Sequence, residues 1–153
     1  MRPHDAPITR CDDRRREAGF TLIELLVVVL IIAVLAAIAL PVFIGQSRKG
    51  QDADAKSDAR NVGGAVELCH QATDDYTKCD NQAKLATDGS QLSVSYGPGR
   101  GEVELTAAAS DSYTVVAHSR SGNDFTITRN FPASWTRSCS NPGDGGCPSG
   151  GNW

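Results

Sequence analysis

The stretch Gly19-Phe20-Thr21-Leu22-Ile23-Glu24, continuing as LLVVVLIIAVLAAIAL to Leu40, decides how this chain is read. From Phe20 to Leu40 every residue except Thr21 and Glu24 is apolar. A helix of about 20 residues rises roughly 30 Å, the thickness of a bilayer's hydrocarbon core. Arg10, Arg14, Arg15 and Arg16 lie just before it. Basic residues favour the cytoplasmic side, so that end stays inside and the remainder is exported.

Two ordinary readings compete. A secretory signal has an apolar core of about 7–15 residues and then a small-x-small cleavage site. Here the run is longer, and Ala33, Ala36 and Ala37 sit within it rather than after it. A plain signal anchor explains the length and the arginines, but not Glu24. A carboxylate in hydrocarbon costs several kcal/mol unless paired, and such residues are functional by default.

The residues Gly19 to Glu24 resemble the processing site of type IV prepilins and pseudopilins, a match made specific by the apolar span that it opens. The resemblance implies a cut by prepilin peptidase on the cytoplasmic side, between Gly19 and Phe20, and N-methylation of Phe20. The apolar segment is retained. Residues 1–19 become a leader whose loss discards Cys11, removes five basic and four acidic side chains, and takes the formal charge from -3 to -4. Glu24 lies about 6 Å along a helix from Phe20. Its carboxylate is placed to pair with the Phe20 amine of a neighbouring subunit and so set the axial register. The competing reading is a glutamate that merely reaches the interface.

Pro41 and Gly45 follow the run. Proline removes a helical hydrogen bond and crowds the preceding turn. On the residues alone this is a helix end; the resemblance implies a kink in one long helix. Ala55, Ala59, Val62, Val66 and Cys69 recur at helical spacing, with Lys49, Asp52, Lys56, Arg60 and Glu67 expected on the solvent side. Gly63-Gly64 weakens this helix by about 1 kcal/mol per glycine relative to alanine. A helix to about Thr73 would be roughly 80 Å long, which suits a subunit that bundles with its neighbours. The expected organisation is a leader 1–19, a membrane and filament-core helix 20–44, an amphipathic continuation 45–73, and a soluble head 74–153.

The head is polar and rich in turn residues. Residues 74–90 are expected to form a loop with one helical turn at most. Strand candidates follow around Leu92-Val94-Tyr96, Val103-Leu105-Ala107, residues 113–118 with Val115 and Val116, and Phe125-Ile127-Phe131, separated by glycine, serine and aspartate clusters. The expected fold is α+β: a long N-terminal helix packed on a four-stranded antiparallel meander. Residues Tyr113 to Asn130 resemble the last hairpin of many pilin sheets. The tail, Ser134 to Trp153, is expected to be irregular.

Cys69, Cys79, Cys139 and Cys147 follow the span, an even set in an exported region, which reads as two disulfides. Four cysteines allow three pairings. Short loops close at little entropic cost, which favours Cys69–Cys79 and Cys139–Cys147. The latter also suits the resemblance, since pilin chains are often pinned near their end. A four-cysteine zinc site is the alternative, though paired C-x-x-C knuckles are lacking.

No catalytic constellation emerges. His70 beside Cys69 would make a poorly oriented dyad, since helix neighbours point about 100° apart. His118 is expected on an exposed strand face. Asp74, Asp75 and Asp80 form an acidic loop that reads as solvated rather than calcium-binding. There is no G-x-S-x-G elbow, and Gly97 to Gly101 lacks the helix and lysine of a phosphate loop. The mild net charge argues against a nucleic-acid binder driven by bulk charge, and DNA binding has no support in the sequence. The reading is a non-enzyme without cofactor or metal. It is a structural subunit, with a major pilin preferred, that polymerises with identical copies after processing by the peptidase and pilus machinery. It is first a single-pass membrane precursor and then part of a surface pilus. The alternatives are a minor pilin or secretion pseudopilin, or a non-polymerising membrane-anchored binding module.

Overall fold

The computed structural model describes residues 19–87, 93–132 and 134–153. The leader, with Cys11 and its arginines, and Leu92 of the first strand candidate lie outside the described residues. The chain divides into two compact units, 1–38 and 39–153. In the first, the described residues are helical from Leu22 onward. This helix, α1, spans Leu22–Thr73 and continues through Pro41.

The second unit is built on the later half of α1. Ala55, Ala59, Val62, Val66 and Cys69 are buried, as their spacing predicts. Asp52 corrects the expected solvent side: it is fully buried. It stands three residues before Ala55 and extends the same stripe by one step, so helical phase outweighs side-chain polarity here. Cys69 is disulfide-bonded to Cys79, and Cys139 to Cys147. Between the first pair the chain forms a 3-10 turn, Tyr76–Cys79, started by Asp75, whose carboxylate accepts from the Thr77 amide at 2.9 Å. Helix α2, Gln82–Thr87, follows. Residues 74–87 are thus more ordered than a loop.

The sheet contains β1 (Val103–Ala109), β2 (Ser112–His118), β3 (Asp124–Asn130) and β4 (Ser134–Cys139). It is an antiparallel meander in the order β1-β2-β3-β4. Alternation along β2 and β3 buries Tyr113, Val115, Ala117, Phe125 and Ile127 with the apolar stripe of α1. The Tyr113 hydroxyl donates to the Gly63 carbonyl at 3.2 Å, tying sheet to helix.

Two strand assignments are corrected. Val94 and Tyr96 lie outside the strands, and Tyr96 makes only an isolated parallel bridge with Val103. The Ser95 carbonyl accepts from the Val103 amide, and the Gly97 amide donates back to the Val103 carbonyl. So short a return through Gly97 to Gly101 leaves no length for a ladder. The fourth strand comes instead from the tail. β4 lies at the sheet edge with its residues from Ser134 to Ser138 exposed, so it carries no apolar alternation to read. Its register, with Trp135 opposite Arg129 and Cys139 opposite Phe125, is set by the partner strand.

Candidate functional site

The N-terminal stretch is a surface rather than a cleft. α1 is long and apolar enough to cross a membrane, and none of its most apolar stretch is buried within the chain. Phe20, Leu22, Ile23, Leu25, Ile38 and Phe43 are each more than half exposed. A helix that is apolar all round requires lipid or other helices around it. Gly19 and Phe20 lie before α1, separated from it by Thr21, and are exposed. Pro41 and Gly45 both lie inside it.

Glu24 has a local partner that the sequence reading missed. Its Oε2 accepts from the Thr21 amide at 3.2 Å and from the Thr21 hydroxyl at 3.0 Å, while the Thr21 Oγ1 accepts from the Glu24 amide at 3.3 Å. This is a capping box, in which a Thr and a Glu three residues apart satisfy amides at the first turn of a helix. The T-x-x-E spacing before an apolar run was its visible signal. All these contacts use one carboxylate oxygen; Oε1 accepts nothing from the described residues.

In the head, Asp52 joins three segments. Its carboxylate accepts from the Ser121 hydroxyl, from Asn123 Nδ2 at 2.9 Å and from the Gly146 amide at 2.6 Å. Burial pushes its carboxyl upward, but hydrogen bonds from Ser119, Ser121, Gly146 and Asn123 together hold it below the ordinary value. Side chains at Gly145 and Gly146 would collide with Asp52: a Cβ on Gly146 would lie 2.8 Å from the Asp52 Cβ. At Asp52 the loop closed by Cys139–Cys147 therefore approaches the helix through the bare backbone of Gly145 and Gly146. Nearby, Arg48 pairs with Asp144 at 2.5 Å and Lys56 donates to the Gly146 carbonyl at 2.5 Å.

Neither His70 nor His118 is placed beside a nucleophile. Cys69 is oxidised, so it offers His70 no thiolate, and the His70 ring stacks on Tyr76 at 3.9 Å between centroids. His118 is not on a freely exposed face. It is half-buried, with Nδ1 2.8 Å from Asp124 Oδ1 and Nε2 3.3 Å from Glu104 Oε1. Of the acidic loop, Asp75 caps the 3-10 turn and Asp80 pairs with Lys84 at 2.8 Å. Among the described residues there is no cluster of three or more His, Cys, Asp or Glu able to hold a metal ion.

Residues 14–40 match the family profile described as the prokaryotic N-terminal methylation motif. The chain is 32% identical over 114 residues to the type IV narrow pilus major component PilA5 of Thermus thermophilus, covering 74% of this chain and 89% of that protein. It is 33% identical over 103 residues to the type IV major pilin protein PilA of Myxococcus xanthus, covering 67% of this chain but only 46% of that protein. Over 55 residues it is 36% identical to the type II secretion system core protein G of Pseudomonas aeruginosa, 36% of this chain and 39% of that one. No solved structure matches the chain significantly.

Proposed function

The chain belongs to the type IV pilin family, and from that premise we propose that it is the major subunit of a type IV pilus, made as a membrane-held precursor. In this reading prepilin peptidase removes residues 1–19 and the Phe20 amine is methylated. Residues 20–44 first hold the subunit in the cytoplasmic membrane and then pack among the same helices of other copies in the filament core. Residues 45–73 form the spine of a head, 74–153, displayed on the cell surface.

The observation that carries this proposal is the exposure of apolar side chains on all sides of α1 from Leu22 to Ile44. A patch of this extent marks a membrane or protein contact, and the same helix can serve both in turn. Glu24 supplies register. With Oε2 occupied by Thr21, Oε1 has no partner among the described residues and can accept the methylated amine of a neighbouring Phe20. In a low-dielectric core only the stagger that joins those charges avoids leaving both unpaired.

Mass spectrometry of filaments sheared from cells tests the proposal. The subunit is expected to begin at Phe20, to carry one added methyl group and to contain two disulfides. Filaments lacking this chain, or containing it from Met1, would overturn it. The similarity to a type II secretion core protein favours a second reading, a pseudopilin in a short periplasmic filament. In that case the processed chain stays with the cell envelope and no shearable surface filament contains it.

A further inference from the structure

The head carries unmatched charge on two opposite sides. On the side of β1 and β2, α1 and the segments 101–103 and 117–120 enclose a cleft of 310 Å³. Asp54 and Asp58 line it from successive turns of the helix, with Glu102 across from them. Neither aspartate has an ion pair within 4 Å among the described residues. Burial and then the charge of Asp54 hold the Asp58 carboxyl above its ordinary value, against the pull of Arg120. Arg120 also lines the cleft, and His118 there is engaged by Glu104 and Asp124. The carboxylates outnumber the cation.

On the other side, at β4, the Trp153 indole has the Arg60 guanidinium 5.2 Å from its centroid, the Arg137 guanidinium at 5.5 Å and the Lys56 ammonium at 6.0 Å. Lys56 is used by the Gly146 carbonyl. Arg60 and Arg137 are exposed and have no carboxylate partner among the described residues. Stacking on the indole holds both guanidiniums in place, which reduces the entropy they lose on pairing with a carboxylate.

The sheet order puts these two patches at opposite edges of the head. Along α1, Asp54 and Arg60 point about 120° apart around the helix, and Asp58 and Arg60, two residues apart, point about 160° apart. We infer that the acidic cleft of one head receives Arg60 and Arg137 of a second copy, so that the β4 side of each subunit docks on the β1–β2 side of the next. The inference rests on the filament reading and adds the lateral contact between heads. Charge complementarity selects a second copy as the occupant. Because the two patches differ and face apart, a symmetric pair leaves one of each unfilled. Such a heterologous contact repeats, and with a rotation that does not close it builds an open helical array. The guanidinium fork also suits neighbouring carboxylates in a way that a point charge does not.

Charge exchange in the full chain, expressed in cells, tests this contact. Asp54→Arg with Asp58→Arg should lower the yield of sheared filaments at least about tenfold while membrane-held subunit stays at its usual level, and Arg60→Asp with Arg137→Asp should do the same. The fourfold variant, which exchanges the charges of the two patches, should return the yield to within about threefold of the unsubstituted chain. A second measurement covers a fourfold variant that fails to fold. In filaments of Arg60→Lys, zero-length carbodiimide coupling should join the introduced amine to Asp54 or Asp58 of another copy, seen as a covalent dimer with that linked peptide. Unchanged yield in either double variant, or coupling of that amine only to other carboxylates, overturns the contact. Absence of filaments from the unsubstituted chain would instead remove the filament reading, and this contact with it.

Discussion

Asp52 of α1 and Asn123 of the β2–β3 turn meet through a 2.9 Å hydrogen bond, Nδ2 donating to Oδ2. With Ser121 and the Gly146 amide on the same carboxylate, one side chain ties the helix, the hairpin turn and the disulfide loop together. Asp52→Ala removes this shared acceptor from the Ser121 hydroxyl and the Gly146 amide, while Asn123 Nδ2 keeps the Asp144 carbonyl at 3.1 Å; each donor that stays unsatisfied costs about 1–3 kcal/mol. The expected loss is about 3 kcal/mol, lowering the Tm by roughly 10 °C or more, read by circular dichroism of the full chain in detergent. The folded carboxyl lies below its ordinary value. Its contribution is therefore present above the unfolded value of about 3.9 and is lost as pH falls through the lower folded value. The gap between the two proteins should hold at neutral pH and narrow only in acid. Equal Tm values at pH 7 would show that the carboxylate does not hold the three segments.

His118 works in the opposite direction. Burial opposes its charge, but the hydrogen bonds and charges of Asp124 and Glu104 hold its pKa above the ordinary value. The stabilisation is complete below the unfolded value of about 6.5 and is lost as pH rises through the higher folded value. The full chain should therefore have a higher Tm at pH 6 than at pH 8.5, and His118→Gln should flatten that difference. The same slope in both proteins would place the pH dependence elsewhere.

The buried stripe of the helix and the hairpin from Ser112 to Asn130 were legible because each repeats a period, whereas the continuity of the helix through Pro41 came from the resemblance. Ala55 to Cys69 follows the turn of a helix, and Tyr113, Val115 and Ala117 alternate along a strand. β4 was not legible: its side chains are largely exposed, and its strand character comes from pairing with β3. Asp52 was misplaced because a charged residue on an apolar stripe was assigned by polarity. Its acceptors' partners lie 69 to 94 residues away, where no local pattern points. At the N-terminus, Glu24 stood out as a lone charge, whereas Thr21 was passed over although the two complete one capping box.

Processing is tested at Gly19. A peptidase that accepts a residue without a side chain beside the cut has no room for a branched one. Gly19→Leu should leave unprocessed chain in the membrane, seen as a larger band on denaturing gels and as loss of filaments. Appearance of the subunit at its mature mass would move the cleavage site away from the Gly19–Phe20 bond.

The capping contact of Glu24 with Thr21 and its proposed pairing with a neighbouring amine can be separated by substitution. Glutamine also serves at the third position of a capping box, so Glu24→Gln preserves the local contacts with Thr21 and removes only the charge. Glu24→Val removes both, and loss of a helix cap costs about 0.5–2 kcal/mol. Removing a charge from an apolar helix leaves membrane insertion unchanged or easier, and Gly19 and Phe20 remain intact for processing. Both variants should therefore accumulate as processed, membrane-held subunit. In the filament, each leaves the neighbouring Phe20 amine unpaired, and breaking one side of a buried pair costs about 3–5 kcal/mol. That corresponds to subunit addition weakened by about a hundredfold or more, repeated at every step. Immunoblots of sheared and membrane fractions should show few or no filaments for both variants alike. If Glu24→Gln assembles normally and Glu24→Val does not, the carboxylate acts through the cap, and the pairing with the amine is wrong.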